Sequence, residues 1–485
     1  MFHRIFMFLL VLSAVSAFAQ APADEFTIIA LPDTQFYSKS YPQILLSQTQ
    51  WIADHIKDQN IKLVIGLGDI VDGGGVASQW QAADNAYSLI KGKVPTVITI
   101  GNHDYDQNNP SGRTASTKNF NAHFGPQYYD NAAWYRGSYP AGSNENFFSI
   151  VNINGTDYLI LVLEFDARDS ALNWAAGVLA SHPNTEAIIA THSFTYYDNT
   201  RMSQCDVNSA ATFGVAKDNN GEDMWLKLVS KYPNVRMVLS GHVVQGDGTG
   251  RRADLGVNGN LVNQILSDYQ AFPLGGAGYL RIMKISPSLN RVSVSAYSPY
   301  LDAYKTDANN QFTVPYRSTG VNSTGAISGV VKSAIDCSRM AGFTVAAAGQ
   351  TTTTDGNGTF TIPAPAIQSY SLSAAHAGWI SESKSATAVA ASASPIKIFV
   401  ATGGRVVGSV RTSAGIPIAG ATLTCNGGAL RIAKTVKADG NGNYYSDWIP
   451  VGGYSVAVSA SGYSTSNLSV NVGTGITQTL NVTLR

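Results

Sequence analysis

The stretch Leu63-Val64-Ile65-Gly66-Leu67-Gly68-Asp69-Ile70-Val71-Asp72 decides the fold, and Val94–Ile100 followed by Gly101-Asn102-His103-Asp104 repeats its plan. In both, a short apolar run ends at a glycine, and a carboxylate or amide side chain follows. Such a run is typical of a strand that is buried on both faces. The glycine allows a sharp turn off the strand and a close approach of the backbone to a bound ion.

Three further apolar runs are each followed within a few residues by a polar side chain of a metal-binding type, and the whole set is predicted as strands. These strands are Phe26–Leu31, Leu63–Leu67, Val94–Ile100, Ala187–Ala190 and Val235–Leu239. The polar segments after them are Asp33-Thr34-Gln35, Gly68–Asp72, Gly101–Asp104, Thr191-His192 and Gly241-His242. In a parallel sheet the carboxyl ends of the strands meet at one edge, so we expect these side chains to converge. Oxygen and imidazole donors without cysteine suit manganese, iron or zinc.

Apolar residues at helical spacing separate the first strands and predict crossover helices. They are Ile44, Leu45, Trp51, Ile52 and Ile56 in the first segment and Trp80, Ala83, Tyr87 and Ile90 in the second. Strands alternating with helices indicate an α/β layered domain. Residues 105–146 lack a clear period and predict a long irregular excursion beside the site.

The motif Gly-Asp is followed along the chain by Gly-Asn-His-Asp and then by two histidines at strand ends. This order of motifs resembles the calcineurin-like metallophosphoesterase family over roughly residues 26–300. The resemblance implies a layered β-sandwich flanked by helices. It also implies a second metal site formed by Asp69, Asn102, His192 and His242. The first metal would take Asp33, Gln35 and the bridging Asp69.

The first site departs from the family pattern at two positions. Gln35 stands where the pattern has histidine, and Val244 stands where it has its last histidine. A glutamine carbonyl binds a transition metal more weakly than imidazole does, and valine has no donor. Gln245 and Asp247 are candidates to complete the site. We therefore expect one or two divalent or trivalent ions (Mn, Fe or Zn), with the first site weak unless another group contributes.

The resemblance implies hydrolysis of phosphate mono- or diesters by a metal-bound hydroxide. His103 would protonate the leaving oxygen as general acid, and Asp104 would orient its ring. Asp72 and Asp106 are interpreted as turn or cap residues. An alternative function is that of a catalytically weak metal-binding or adhesion protein, which the substitutions at Gln35 and Val244 favour.

Beyond Pro315 the composition changes to small and β-branched residues, which predicts all-β modules. Two copies are recognisable from paired segments. Examples are Gly329-Val330-Val331 with Gly408-Ser409-Val410, and Asp355–Phe360 with Asp439–Tyr444. The pattern resembles the carboxypeptidase regulatory-like (transthyretin-like) β-sandwich. Asp-Gly-Asn-Gly is interpreted as turn chemistry rather than a calcium loop. The modules are candidates for contact with carbohydrate or a cell surface.

The ends and the bulk composition limit the class of protein. A cleaved signal peptide is predicted over residues 1–19 from Arg4, the apolar run Ile5–Val15 and the segment Ala17-Phe18-Ala19. The alternative is a membrane anchor. The mature chain is predicted to be secreted or periplasmic, without a membrane span. The full chain has 32 basic and 32 acidic residues, a balance that does not indicate electrostatic attraction of nucleic acid. Three separated cysteines permit one disulfide and leave one thiol.

The predicted organisation of the 485 residues has four parts. They are a signal peptide (1–19), a metallophosphoesterase domain (20–320) and two β-sandwich modules (325–401 and 403–485).

Overall fold

The computed structural model describes residues 22–106, 116–209, 212, 219–318, 324–365, 368–388 and 395–485. The predicted signal peptide lies outside these residues. Within them, no helix is long and apolar enough to cross a membrane.

The described residues between 22 and 318 form an α/β architecture, as the sequence predicts. Its helices are α1 (Gln35–Ser40), α2 (Pro42–Asp54), α3 (Ala77–Tyr87), α4 (Lys118–Phe124), α5 (Asp169–Ser181), α6 (Gly221–Lys227) and α7 (Pro273–Gly276). Its strands are β1 (Phe26–Leu31), β2 (Ile61–Gly66), β3 (Thr96–Ile98), β4 (Tyr135–Tyr139), β5 (Asn146–Ile153), β6 (Thr156–Leu163), β7 (Glu186–Thr191), β8 (Val235–Ser240), β9 (Thr249–Leu255), β10 (Leu261–Ser267), β11 (Leu280–Ser286), β12 (Arg291–Ser298), β13 (Ala303–Lys305) and β14 (Phe312–Pro315). The excursion over residues 105–146 contains α4 and β4.

The strands belong to two sheets, and this corrects the expectation of a single parallel sheet edge. The first sheet has the order β13-β12-β11-β1-β2-β3, with β14 paired to β12, and the second has the order β4-β5-β6-β7-β8-β10-β9. The sheets stack face to face, because Ile28 and Ile65 of the first share one core with Ile160 and Leu239 of the second. The carboxyl ends of β1, β2 and β3 therefore meet those of β7 and β8 across the sandwich.

Helices cover the outer face of each sheet. Ile29 and Val64 of the first sheet pack against Trp80 of α3 and Ile52 of α2. On the second sheet, Leu161 packs in one cluster with Leu172 and Leu179 of α5 and Trp225 of α6. Neighbouring residues such as Ile28 and Ile29 thus face opposite layers, as the alternation of a strand requires. The continuous apolar runs follow from this burial on both faces.

From residue 324 onward, the secondary-structure elements of the described residues are all strands. The strands are β15 (Thr324–Ser333), β16 (Thr344–Ala347), β17 (Gln350–Thr353), β18 (Thr359–Pro365), β19 (Gln368–Ala375), β20 (Trp379–Ser381), β21 (Lys384–Ala388), β22 (Ile396–Thr412), β23 (Thr422–Gly427), β24 (Ile432–Lys437), β25 (Asn443–Tyr445), β26 (Ile449–Pro450), β27 (Gly452–Ser459), β28 (Ser466–Val472), β29 (Thr477–Thr479) and β30 (Val482–Leu484). Two four-stranded sheets, β17-β16-β19-β21 and β24-β23-β27-β28, have equivalent orders along the chain. This equivalence agrees with the repeated segments of the sequence.

Strand β22 is common to both modules. Residues Ile396–Val400 pair in parallel with β15, and residues Gly403–Thr412 pair with β25, β26, β29 and β30. The predicted module boundary at residues 401–403 therefore falls inside a strand. The other predicted domain limits stay predictions.

The loop after β7 is fastened to the first module. A disulfide joins Cys205 to Cys337, while Cys425 is buried and unpaired within the described part of the chain. Lys397 donates to both carboxylate oxygens of Asp206 at 2.7 and 2.6 Å. We refer to residues 201–209 as the tethered loop.

Candidate metal centre

Three of the predicted ligands lie together at the carboxyl ends of β2, β7 and β8. Atoms of Asp69, His192 and His242 that can bind a metal lie within 4.8 Å of one another. Nε2 of His192 is 3.1 Å from Oδ1 of Asn102 and 3.2 Å from Oδ2 of Asp69. All four side chains are almost completely buried. The structure thus brings together every residue expected for the second site.

The outward-facing nitrogens of both histidines are bonded to backbone carbonyls. Nδ1 of His192 lies 2.8 Å from the carbonyl oxygen of Leu67, and Nε2 of His242 lies 2.9 Å from that of Asn208. A neutral imidazole that donates through one nitrogen accepts through the other. His192 therefore presents Nε2 to the cluster, and His242 presents Nδ1. Such partners orient the rings of metal-binding histidines.

Two glycines are required because side chains of the site approach them closely. A Cβ at Gly101 would lie 2.2 Å from Oδ1 of Asp69, and one at Gly241 would lie 2.1 Å from Oδ1 of Asp33. Any larger residue would displace a carboxylate of the site. Asp69 and His242 themselves have positive φ values of 45° and 74°, which are uncommon for residues with a Cβ. Backbone strain of this kind is found at functional sites.

The residues expected for the first site lie beside this cluster. Asp33 is 2% exposed, and its Oδ2 accepts a hydrogen bond from the backbone N–H of His242 at 3.0 Å. Oδ1 of Asp33 and Oε1 of Gln35 are buried without a hydrogen-bond partner among the described residues. Burying such oxygens costs free energy unless a donor or a cation compensates. The donor set therefore fits a metal ion.

The carboxylates control the protonation of the cluster. Burial alone would lower the pKa of His192, but the charges of Asp69 and Asp33 raise it to about 10. Burial raises the pKa of Asp33 well above its usual range, and the charge of Asp268 adds to the effect. Burial lowers the pKa of His242 to about 3, with a further contribution from the charge of His192. A cation at this position would balance the buried negative charge.

His103 lies beside the cluster without belonging to it. Its backbone N–H donates to Oδ1 of Asp69 at 2.9 Å, and its ring Nδ1 is 2.9 Å from the carbonyl oxygen of Asp72. The side chain remains 33% exposed. Burial opposes protonation of the ring, yet the negative charge of Asp69 raises the pKa of His103 above its usual value. An imidazole that keeps its proton and reaches solvent suits a general acid.

Asp104 occupies a different position from the one expected. Its Oδ1 accepts hydrogen bonds from the backbone N–H groups of Ile70 and Val71 at 2.8 and 3.0 Å, and its Oδ2 accepts one from Gly101 at 2.8 Å. The His103 ring is bonded to Asp72 instead. Asp104 therefore holds the turns that carry the metal-binding candidates, and the expectation that it orients the ring is wrong. Asp72, interpreted from the sequence as a turn residue, supplies that contact through its carbonyl.

Comparison with known families agrees with this geometry. The calcineurin-like phosphoesterase family model matches residues 26–246. Residues 26–246 are a calcineurin-like phosphoesterase domain. The carboxypeptidase regulatory-like domain model matches residues 405–485, which are the second β module.

Individual proteins similar to this chain include the uncharacterized protein YvnB of Bacillus subtilis (strain 168). It is 34% identical over 297 residues, which are 59% of this chain and 21% of YvnB. The chain thus spans about a fifth of the length of that relative. Among solved structures, a purple acid phosphatase from yellow lupin seeds is 15% identical with a TM-score of 0.39, covering 61% of this chain and 54% of its own. A dimetal phosphatase from Danio rerio is 13% identical with a TM-score of 0.35, covering 60% and 99%.

Proposed function

We propose that this protein is an exported, metal-dependent phosphoesterase that hydrolyses phosphate mono- or diesters, with His103 as the general acid. The observation that carries the proposal is the buried convergence of Asp69, His192 and His242 on one point beside a histidine that is not a ligand. A metal ion held there would supply Lewis-acid polarisation of the phosphoryl oxygens and lower the pKa of the attacking water.

Side chains of the site would hold the metal and donate the proton. Asp69 would hold metal through one carboxylate oxygen while its Oδ1 accepts the backbone N–H of His103, which fixes the acid relative to the ligand. Because the His103 ring donates to the Asp72 carbonyl through Nδ1, its Nε2 is the atom available to protonate a leaving oxygen. Partial exposure of the ring allows a substrate to approach from solvent.

Export is supported by the predicted signal peptide and by the disulfide between Cys205 and Cys337. Disulfides form and persist in oxidising compartments. The candidate ions are Mn, Fe and Zn, and the candidate substrates are phosphate mono- and diesters.

The test combines metal content with turnover. Purified full-length protein is assayed with p-nitrophenyl phosphate and bis(p-nitrophenyl) phosphate in the presence of manganese. We expect His103→Ala to lower kcat by about a hundredfold or more while the metal content stays unchanged, since loss of a general acid has effects of this size.

His376→Ala is the matched control, because His376 is an exposed histidine of the first β module. It is expected to retain wild-type turnover. Tight metal binding without hydrolysis of either ester, with His103→Ala indistinguishable from wild type, would reject the proposal and favour a metal-binding or adhesion role.

A further inference from the structure

The second β module carries two exposed aromatic side chains. Tyr445 is 53% exposed and Trp448 is 47% exposed. Tyr444 is buried in the core of the module, so its neighbour Tyr445 points to the outer face of the sheet. Large aromatic rings are usually covered, because they contribute most to stability when they are buried. Exposed rings that lie together indicate a surface that binds a partner.

Both rings lie beside one arginine of strand β22. The guanidinium carbon of Arg405 is 5.2 Å from the ring centre of Tyr445 and 4.9 Å from that of Trp448. Tyr445 is paired with Val407, two residues to one side of Arg405. A Cβ at Gly403, two residues to the other side, would lie 3.2 Å from Cε3 of Trp448. Because alternate residues of a strand share a face, the two rings flank Arg405 on one face of β22.

The sheet holds Tyr445, Arg405 and Trp448, which we call the aromatic row, in place. The backbone N–H of Ser446 donates to the carbonyl oxygen of Val406 at 2.9 Å. Oγ of Ser446 in turn accepts the backbone N–H of Val406 at 2.9 Å. These two bonds fix the segment between the two rings against β22. Side chains that are positioned before binding lose little conformational freedom when a ligand arrives.

Arg405 has no acidic partner within the described part of the module. Its Nε is buried without a hydrogen-bond partner among the described residues. Arg431 of the same module pairs with Asp223, whereas none of the described carboxylates forms an ion pair with Arg405. Asp447, the acidic residue between the two rings, pairs with Lys434 instead. Because a guanidinium is always charged and matches the two oxygens of a carboxylate, the aromatic row fits a ligand that brings a carboxylate.

The size and surroundings of the aromatic row favour a polysaccharide over a protein. A fully buried tyrosine or tryptophan covers about 150–250 Å², so two half-exposed rings offer far less than the roughly 800 Å² per partner of a standard protein interface. Thr477, which is paired with Arg405, is exposed and can bond to sugar hydroxyls. The C–H groups of a pyranose stack on the negative face of an aromatic ring. A polymer compensates for a small contact by presenting the same unit many times.

We propose that the aromatic row is a binding site for an acidic polysaccharide. Sugar rings stack on Tyr445 and Trp448, and the carboxylate of a uronate sugar pairs with Arg405. The site belongs to the second β module and uses none of the metal-binding candidates, so it is independent of the proposed hydrolysis. It would hold the protein on a carboxylated glycan.

Binding is measured with full-length protein and immobilised polygalacturonate, a polymer of uronate sugars, by biolayer interferometry. The methyl-esterified polymer is the matched ligand, because it has the same sugar rings without the charge. Wild type is expected to bind the acid at least about tenfold more tightly than the ester. Trp448→Ala should weaken binding of the acid at least about tenfold, since truncation of a central aromatic residue has effects of this size. Arg405→Gln should bind acid and ester equally, because its neutral side chain cannot pair with the carboxylate.

Tyr463→Ala is the control variant and should bind the acid as wild type does. Tyr463 is 38% exposed and precedes Ser464, whose backbone N–H donates to the carbonyl oxygen of Arg485 rather than to a residue beside Arg405. Wild type that fails to bind the acid, or that binds acid and ester with one affinity, overturns the proposal. Wild-type affinity in Trp448→Ala does the same. Circular dichroism of each variant separates lost binding from lost folding, and Tyr445→Ala removes the second ring independently.

Discussion

Asp104 lies completely buried between the two turns that carry Asp69 and Asn102, and its carboxylate accepts three backbone N–H groups. An asparagine at this position would keep one acceptor and turn an NH₂ group toward a donor. We therefore expect Asp104→Asn to lower the free energy of unfolding by about 2 kcal/mol and to reduce bound metal. Urea denaturation and metal analysis measure the two effects.

Asp106→Asn serves as the comparison, because Asp106 also accepts two backbone N–H groups but does so at the start of α4. Its effect should be confined to a small loss of stability. Equal metal content in wild type and Asp104→Asn would show that the turns hold their shape without this carboxylate.

The sequence identifies the site residues whose side chains follow clear apolar runs. Asn208 and Asp72 were missed as contacts of the site because they act through backbone carbonyls, which no residue type reveals. Strand β10 was missed for another reason. Asn263 and Gln264 interrupt the apolar pattern of β10, although both side chains are buried, so that strand was not recognised.

At the scale of elements, the order of strands along the chain is predictable, but their division into two sheets is not. Every central strand is buried on both faces, so its apolar run fits either sheet. The crossover helices were predicted correctly in the body of α2 and α3. Ile56 and Ile90 lie beyond the ends of those helices, where they pack as apolar residues of turns.

The tethered loop should affect how tightly the second site binds metal. Lys397 and Asp206 are nearly buried, and the loop they hold places the Asn208 carbonyl against His242. Lys397→Met should leave Asp206 uncompensated and loosen that carbonyl. We expect the affinity of the second site for Zn²⁺ to fall about tenfold, as measured by competition with a chelating dye.

Lys434→Met is the control, since Lys434 pairs with Asp447 at an exposed position. It should bind Zn²⁺ as wild type does. If Lys397→Met also retains wild-type affinity, the tethered loop has no part in holding His242.

At the scale of the whole molecule, a buried network of charges joins the phosphoesterase domain to the first module. Lys384 of the module and Arg201 of the domain both bind Glu222, at 3.1 and 3.0 Å. Arg252 also donates to the carbonyl oxygen of Pro395 at 2.8 Å. The sequence separates these parts by composition but does not show that they are joined, because the partners lie more than a hundred residues apart.

This network predicts loss of stability in acid. Burial opposes ionisation of Glu222, but the charges of Lys384 and Arg201 lower its pKa from 4.5 to about 2. The folded state therefore binds fewer protons than the unfolded state between these values, and the contribution present above pH 4.5 is lost as pH falls toward about 2. Urea midpoints of wild type should decline over this window. Glu222→Gln should have a lower urea midpoint at pH 7, and that midpoint should decline less as the pH falls. Parallel curves of urea midpoint against pH for the two proteins would contradict the assignment.

Strand β22 has a mechanical consequence. Its 17 residues, at roughly 3.3 Å each, make a continuous rod about 55 Å long with no joint between the modules. A load applied near Arg485 passes along that rod to Ile396, whose neighbour Pro395 is bonded to Arg252. A force applied to the second module would therefore reach the phosphoesterase domain through this shared strand, because no loop separates the two modules along β22.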